Sequence, residues 1–335
     1  MDSISSQAID ENAYWLALQG KDWLIPTRKV VQVFNEYGSL APFWKAPYSF
    51  FNRLEIDDRV IRKLSGYMDR TQLHDFASML RSVESRQVKL IRYIDKEYPE
   101  TLKTLDNPPL ILFHKGSLSN FDNCVAIAGT RDPSLFGRVM ARRIAKSIAS
   151  RGHTIVSGLA RGIDEWAHFG ALEVPKGKTI AVLAWMDPIY PPEHVELAGD
   201  IQKRGAILSE GFKQPFDKSA PARFVQRNRI TSGVSRCVIA IESDAEGGTV
   251  HQMKIALSQK RKVFALQPRG NEQAKRGFKV FMDMGAIPIK SAKEVLDFLK
   301  AGAPSYSTKS RLDTFYQHSF DREIFDKSQE NEDRF

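Results

Sequence analysis

The sequence predicts a doubly wound α/β fold, a mostly parallel sheet covered on both faces and preceded by a small helical domain. From Cys124 onward, short apolar runs recur near residues 124–128, 154–157, 179–184, 206–208, 237–241, 262–266 and 286–289, with helical stretches filling the gaps. Runs such as Thr179-Ile-Ala-Val-Leu-Ala184 are apolar without alternation, as a strand buried on both sides requires. Turns rich in glycine and other small residues follow several runs, at the place where open α/β sheets bind ligands. Ahead of about residue 105 the texture differs, with helical spacing mixed with frequent Trp, Phe, Tyr and Pro. Two domains are the simplest account, and 335 residues suffice for them.

The first domain is expected over residues 1–100. Tyr14-Trp-Leu-Ala-Leu18, Val30-Val-Gln-Val-Phe34 and Thr71 to Leu80 carry apolar residues three to four apart, broken by Pro26, Gly38, Pro42 and Pro47. Short packed helices fit that pattern. The stretch Tyr98 to Phe113 reads as a linker leading into an edge strand, because Pro108 and Pro109 keep it extended. The sheet domain follows over 101–300. After Leu299 no winged-helix pattern is found, and 301–335 reads as a polar, acidic tail with a solvated end.

The formal net charge is +9 and the pI about 9.4. Ser319 to Phe335 holds six acids against three bases, so the rest of the chain carries +12. A basic body favours polyanions such as nucleic acid or an anionic membrane, although plain solubility accounts for charge equally well. Cys124 and Cys237 are the only cysteines, each opening a β-branched run, which fits small apolar packing in a reducing cytoplasm. The acidic N-terminus has no apolar signal core, and no window approaches 18 uninterrupted apolar residues, so a protein in the cytoplasm, away from the membrane, is expected. The histidines at 74, 114, 153, 168, 194, 251 and 318 are scattered without metal-ligand spacing, so no metal and no cofactor are expected.

The candidate site residues follow the strands. After the first apolar run, Gly129-Thr-Arg-Asp-Pro-Ser-Leu-Phe-Gly137 combines a tight turn with a helix start whose free N–H groups suit an anion, and Thr130 and Arg131 project from it. It is neither Gly-x-Gly-x-x-Gly nor a P-loop, so neither a dinucleotide nor a P-loop nucleotide is indicated. After the second run comes Ser157-Gly158-Leu-Ala-Arg161-Gly-Ile-Asp164, in which Arg161 and Asp164 are spaced to pair across a helical turn, either as a structural ion pair or beside a ligand. Ser209-Glu210-Gly211 and Glu242-Ser-Asp-Ala-Glu-Gly247-Gly248-Thr249-Val250 follow the fourth and fifth runs. Arg227, Asn228 and Arg229 lie just ahead of an apolar strand, and guanidinium groups at i and i+2 are read as gripping successive anionic groups. Four such turns plus Arg131, Arg161, Arg227 and Arg229 at one edge indicate an extended anionic ligand, a phosphodiester backbone above all.

These residues resemble the bacterial DprA/Smf family of DNA-processing proteins. The similarity runs from Tyr98-Pro99 through Val125-Ala-Ile-Ala-Gly-Thr-Arg131, Ser157-Gly-Leu-Ala-Arg-Gly-Ile-Asp164, Ala167-His168, Ile189-Tyr-Pro-Pro192, Gly205-Ala-Ile-Leu-Ser-Glu210, Arg227-Asn-Arg-Ile230, Gly247-Gly-Thr249 and Val263-Phe-Ala265 to about Leu299, about 200 residues in order. The resemblance implies an extended Rossmann-like domain that binds single-stranded DNA, forms a homodimer, protects incoming strands and helps load the recombinase RecA in natural transformation. It implies that Arg131, Arg227 and Arg229 line a DNA groove shaped by Gly129, Ser157, Gly158 and Arg161, and that no catalytic residue is present. Thr130, Asn228, Gly247, Gly248 and Thr249 belong to the same binding set; Asp164, Glu210 and Glu242 are structural or pocket residues.

Departures from the family pattern accompany the match. His194 stands where the family usually has asparagine, Val225 where it has proline, and Gln267-Pro-Arg-Gly270 where it has a Pro-Gly pair. Gly247-Gly-Thr-Val-His-Gln-Met253 carries bulkier groups than the common run, so local contacts there do not transfer. The competing reading is a nucleotide-binding protein or an enzyme similar to the lysine-decarboxylase-like phosphoribohydrolases, with Glu210 and Glu242 as candidate acids. Those enzymes carry a glutamate a turn into the helix after their glycine motif, and Thr249-Val-His-Gln-Met253 offers none.

Overall fold

The computed structural model describes residues 10–19, 25–45, 48–67, 70–118, 120–214 and 220–302. Helices α1 (Glu11–Leu18), α2 (Thr27–Tyr37), α3 (Pro42–Lys45), α4 (Tyr48–Arg53), α5 (Asp58–Tyr67) and α6 (Arg70–Ser85) come first. The three helical readings of the sequence fall within α1, α2 and α6. Their limits follow from local chemistry. Asp10 caps α1 by accepting the Asn12 N–H at 2.8 Å, Pro26 precedes α2, and Gly38, at φ 68°, ends α2 in the left-handed conformation with its N–H on the Phe34 carbonyl. Pro47 lies outside the described residues.

The sheet begins earlier than the sequence indicates. Strand β1 (Lys89–Arg92) precedes α7 (Glu100–Lys103) and β2 (Ile111–Gly116). β2 pairs antiparallel with β1 on one side and with β6 (Ala206–Ser209) on the other. The stretch into Phe113, read as an edge strand, is therefore an inner one, and β1 takes the edge. Lys89-Leu-Ile-Arg92 is short and bounded by cations, a common way of blunting an edge and a poor signal of a strand.

Between β2 and β6 run β3 (Cys124–Gly129), α8 (Leu135–Ala149), β4 (Thr154–Ser157), α9 (Ile163–Leu172), β5 (Thr179–Leu183) and α10 (Val195–Arg204). After β6 come α11 (Ala220–Gly233), β7 (Cys237–Ile241), α12 (Gly248–Ser258), β8 (Lys262–Leu266), α13 (Glu272–Asp283), β9 (Ile287–Ile289) and α14 (Lys293–Lys300). All seven strands expected after residue 124 are present. The sheet order is β1-β2-β6-β5-β4-β3-β7-β8-β9, and every pairing from β6 to β9 is parallel. From β3 the chain adds β4, β5 and β6 on one side, then returns to add β7, β8 and β9 on the other. The order therefore reverses between β3 and β7, and a crevice opens beyond their carboxyl ends.

Alternate residues of the strands feed two cores. Val125, Ile127 and Ile239 pack with Ile144 and Ile148 of α8, Ile163 and Ala167 of α9, and Leu299 of α14. Ala126, Val156, Val182 and Val238 pack on the other face with Ile230 of α11, Met253 of α12 and Phe281 of α13. The N-terminal helices are joined to the sheet through a third cluster, in which Trp15, Val30 and Leu54 pack with Ile111, Phe113, Leu183 and Ile207. Polar ties cross the same junction: Thr27 Oγ1 donates to the Pro108 carbonyl at 2.8 Å, and the Gln19 amide bonds both the N–H and the carbonyl of Ile111. The tail from residue 303 on lies outside the described residues. Cys124 and Cys237 open the neighbouring strands β3 and β7 and are buried as free thiols; burial pushes Cys237 up to about 12. Among the described residues no helix is long and apolar enough to cross a membrane.

Candidate nucleic-acid interface

Three of the glycine-bearing turns meet at the reversal point. Thr130, just past β3, donates its N–H to the Glu242 carbonyl past β7 at 2.9 Å, and its own carbonyl accepts the Ile163 N–H at the start of α9 at 3.1 Å. Gly162 has φ 81°, and a Cβ there would lie 2.5 Å from the Thr130 oxygen, so a side chain at 162 would push the turns apart. Ser134 caps α8: its Oγ accepts the Gly137 N–H at 3.1 Å and donates to the Glu242 carboxylate, whose other oxygen takes the Ser134 N–H at 2.8 Å. Glu242 is buried and committed to this turn. Past β7, α12 opens at Gly248 with Gly247 as its cap and no side-chain cap bond, and Thr249 is buried. The fourth turn differs. Gly211 leads to Lys213, which bridges to Asp187, and no described helix starts there.

The Arg227-Asn-Arg229 triplet lies inside α11, not just ahead of a strand. A helix sends i and i+2 to nearly opposite sides, so the two guanidinium groups do not share one face. Arg227 reaches under the crevice. Its Nη1 donates to the Val182 carbonyl at 2.5 Å, and its guanidinium lies so close to Gly158 that a Cβ there would sit 1.9 Å from Nη1. Beside it, the buried Asp164 carboxylate accepts the N–H groups of Gly158 at 3.0 Å and Ala160 at 3.4 Å. Burial pushes Asp164 above its usual range, opposed chiefly by the Arg227 charge, and burial lowers Arg227, opposed by Asp164. Arg227 Nε is buried without a hydrogen-bond partner among the described residues. Ser157 Oγ donates to the Ile127 carbonyl at 2.7 Å, locking β4 to β3 below this group.

The expected pairing of Arg161 with Asp164 is absent. Arg161 precedes the glycine that caps α9, so helical spacing does not apply to it, and its side chain pairs with the exposed Glu193.

Arg229 points to the scaffold. Its Nη2 meets both Glu210 oxygens, at 2.6 and 2.7 Å, with side-chain exposures of 15% and 9%, and the Gln19 amide bonds the Glu210 carbonyl at 3.3 Å. The Asn228 carbonyl accepts Gln252 Nε2 at 3.0 Å and the Arg229 carbonyl accepts Gln259 Nε2 at 3.0 Å, seating α11 on α12.

Above Arg227, the structure sets the expected Arg131 beside aromatic residues that sequence reasoning missed. Arg131 is exposed and has no ion-pair partner among the described residues; its guanidinium lies 5.9 Å from the Phe224 ring centre. Phe224, one turn before Arg227 on α11, packs against Trp185 at 5.1 Å and Tyr190 at 5.8 Å, and Tyr190 is 44% exposed. The available signal was the end of the third run, 179–184, after which Trp185 and Tyr190 follow as Gly129 and Gly158 do after theirs. The crevice thus combines cations, uncapped helix N–H groups and aromatic faces.

Residues 89–300 match the family model described as DNA recombination-mediator protein A. The chain belongs to that family. The match starts at the first residue of β1 and ends at the last of α14, so it spans the whole sheet domain and leaves α1 to α6 ahead of it. A Smf protein from Synechocystis sp. is 33% identical over 304 residues, 88% of this chain and 74% of that protein. The X-ray structure of DNA processing protein A from Streptococcus pneumoniae matches with a TM-score of 0.68 and 26% identity, covering 86% of this chain and 96% of that one. DNA processing protein A from Helicobacter pylori, whose structure concerns its single-stranded DNA binding mode, matches with a TM-score of 0.56 and 28% identity, covering 64% of this chain and 96% of that one. Family membership places the chain among the DNA-processing proteins of recombination.

Proposed function

We propose that this chain binds single-stranded DNA in the crevice at the β3/β7 reversal and hands it to the RecA recombinase as a homodimer, protecting the strand meanwhile. The observation that carries the reading is Arg131 on Phe224, with Tyr190 and Trp185 alongside: an exposed cation, without an ion-pair partner among the described residues, on an aromatic cluster. Phosphate needs the first and an unstacked base needs the second, and a duplex offers no base face. Arg227, Gly129, Thr130, Ser157, Gly158 and the Gly247-Gly248-Thr249 helix start form the floor in this proposal. Arg161, Asn228 and Arg229 stand further back, since Arg161 and Arg229 already have carboxylate partners and the Asn228 carbonyl is held by α12. Helices α1 to α6 serve as a buttress for the sheet domain, which takes in β1 and so begins at Lys89 and not at residue 101.

Binding without catalysis is the better supported reading. Glu242 holds the Ser134 turn and Glu210 holds Arg229, so neither candidate acid is spare, and Asp164 is taken up by the Gly158 turn. Titrating labelled single strands and duplex at two salt concentrations tests the proposal: single strands bind more tightly, with affinity falling steeply as salt rises. Equal affinity for duplex overturns it. Release of free base from nucleoside monophosphates, abolished in Glu242→Gln, would establish the enzyme reading instead.

A further inference from the structure

A second cationic feature lies on the flank of the sheet, away from the crevice. Between α8 and α14 runs an open groove of about 670 Å³ whose walls carry Arg143, Arg151, Lys290, Lys293 and Lys300 against the single acid Asp297. All five cations are exposed, and no ion pair among the described residues takes up any of them. The other side of α8 behaves differently: Arg142 and Lys146, facing α9, are both paired with Glu173. Lys300 ends α14, where a cation favours the helix in any case. Lys293 is the first residue of α14, where a cation opposes the helix dipole, so the dipole does not account for its charge there.

A row of cations along one sheet edge leads from the crevice towards the groove. The strands β3, β8 and β9 are parallel members of one sheet, so Arg131, Arg269 and Lys290, which follow them, lie along the same edge. Arg269 bridges the gap, 5.4 Å above the ring of Phe136 in the first turn of α8. From that edge α8 and α14 both run back across the sheet, and the stretch from Met140 to Arg151 is about 16 Å long, room for no more than about five phosphates. Met140, Ile144 and Leu296 on its floor present neither an aromatic face nor a donor for bases. The chemistry is that of a backbone track.

We infer that the α8/α14 groove carries the phosphate backbone of a single strand that leaves the β3/β7 crevice past Arg131, Arg269 and Lys290. This rests on the crevice binding single strands. The test compares a strand of about six nucleotides, which the crevice alone accommodates, with one of about twenty. The protein is the full chain, wild type or carrying Arg143→Ala, Lys290→Ala and Lys293→Ala, with Arg143→Lys, Lys290→Arg and Lys293→Arg as the charge-retaining control. The Ala variant is expected to bind the short strand as wild type does. It should bind the long strand on the order of tenfold more weakly at low salt, with a salt slope smaller by about 2 units, and the control should behave as wild type. Unchanged affinity and slope for the long strand would overturn the track while leaving the crevice intact. Failure of wild type to bind either strand would overturn both. A polyglutamate peptide that binds wild type but not the Ala variant, with long-strand binding equal in the two, would make the groove an acidic-peptide site and overturn the track.

Discussion

Arg227 and Arg229 belong to one triplet on one helix, yet the two faces of α11 treat them differently. On one face, Arg227 packs on Gly158 beside Asp164, beneath an aromatic cluster and an exposed Arg131 that has no ion-pair partner among the described residues. On the other, Arg229 meets both oxygens of a buried Glu210 that is itself bonded to Gln19 of the N-terminal segment. The difference teaches that residue type does not assign a role in a basic motif. What separates them is whether a carboxylate grips the guanidinium directly: Glu210 meets Arg229 with both oxygens, which makes it scaffold, whereas Asp164 lies beside Arg227 but gives its hydrogen-bonding oxygen to the Gly158 turn.

The largest effect is expected on the scaffold face. Glu210→Ala leaves the Arg229 charge buried without its carboxylate and should cost about 3 to 5 kcal/mol in denaturant unfolding, as such buried pairs do when one partner is removed. A loss below about 1 kcal/mol, the scale of an exposed pair, would erase the contrast between the faces. On the other face, Gly158→Ala places a methyl group 1.9 Å from Arg227 Nη1. It should destabilise by about 1 to 3 kcal/mol through overpacking, and weaken strand binding because Arg227 moves. Wild-type binding in a folded Gly158→Ala protein would separate Arg227 from the site.

Acid sharpens the same contrast. His168 is fully buried behind the β4 turn and bonds Thr179 Oγ1 at 2.7 Å; that hydroxyl gives its hydrogen to the Ile155 carbonyl, so the imidazole Nδ1 is the donor. Burial lowers His168 from 6.5 to about 3. Below pH 6.5 the unfolded chain takes up a proton that the folded one refuses. The stability this histidine contributes is complete above 6.5 and is lost as pH falls towards 3, by up to about 1.4 kcal/mol per pH unit. His168→Asn should flatten that limb of the unfolding curve, read by thermal melts across the range. An unchanged acid slope would show that the histidine is not held neutral.

Much of the sheet is legible in the sequence, for a physical reason. Strands buried on both faces, such as Thr179–Leu183 and Cys237–Ile241, must be apolar throughout, and that leaves a local signal. β1 leaves none, because an edge strand of Lys89-Leu-Ile-Arg92 looks like any charged surface segment. In the site, Gly129, Gly158 and Gly247 are legible because the turns after parallel strands need small residues near a helix start. The fate of Arg229 is not, since its partner Glu210 stands 19 residues away in another element. Nor is the helical setting of Arg227, because the run Ala222 to Ile230 mixes cations and apolar residues without a clear stripe. Phe224, Tyr190 and Trp185 come from three separate positions in the chain, and only folding shows that they meet.

The smallest expected change in stability accompanies the most telling change in binding. Arg131 is exposed and has no carboxylate partner among the described residues, so Arg131→Ala should leave unfolding within about 0.5 kcal/mol of wild type. The decisive measurement is a titration of labelled single-stranded DNA against wild type, Arg131→Ala and Phe224→Ala at two salt concentrations. Both variants should bind more weakly, with Arg131→Ala alone lowering the salt slope, by about 0.7. Wild-type affinity and slope in both folded variants would contradict the placement of the strand in the crevice.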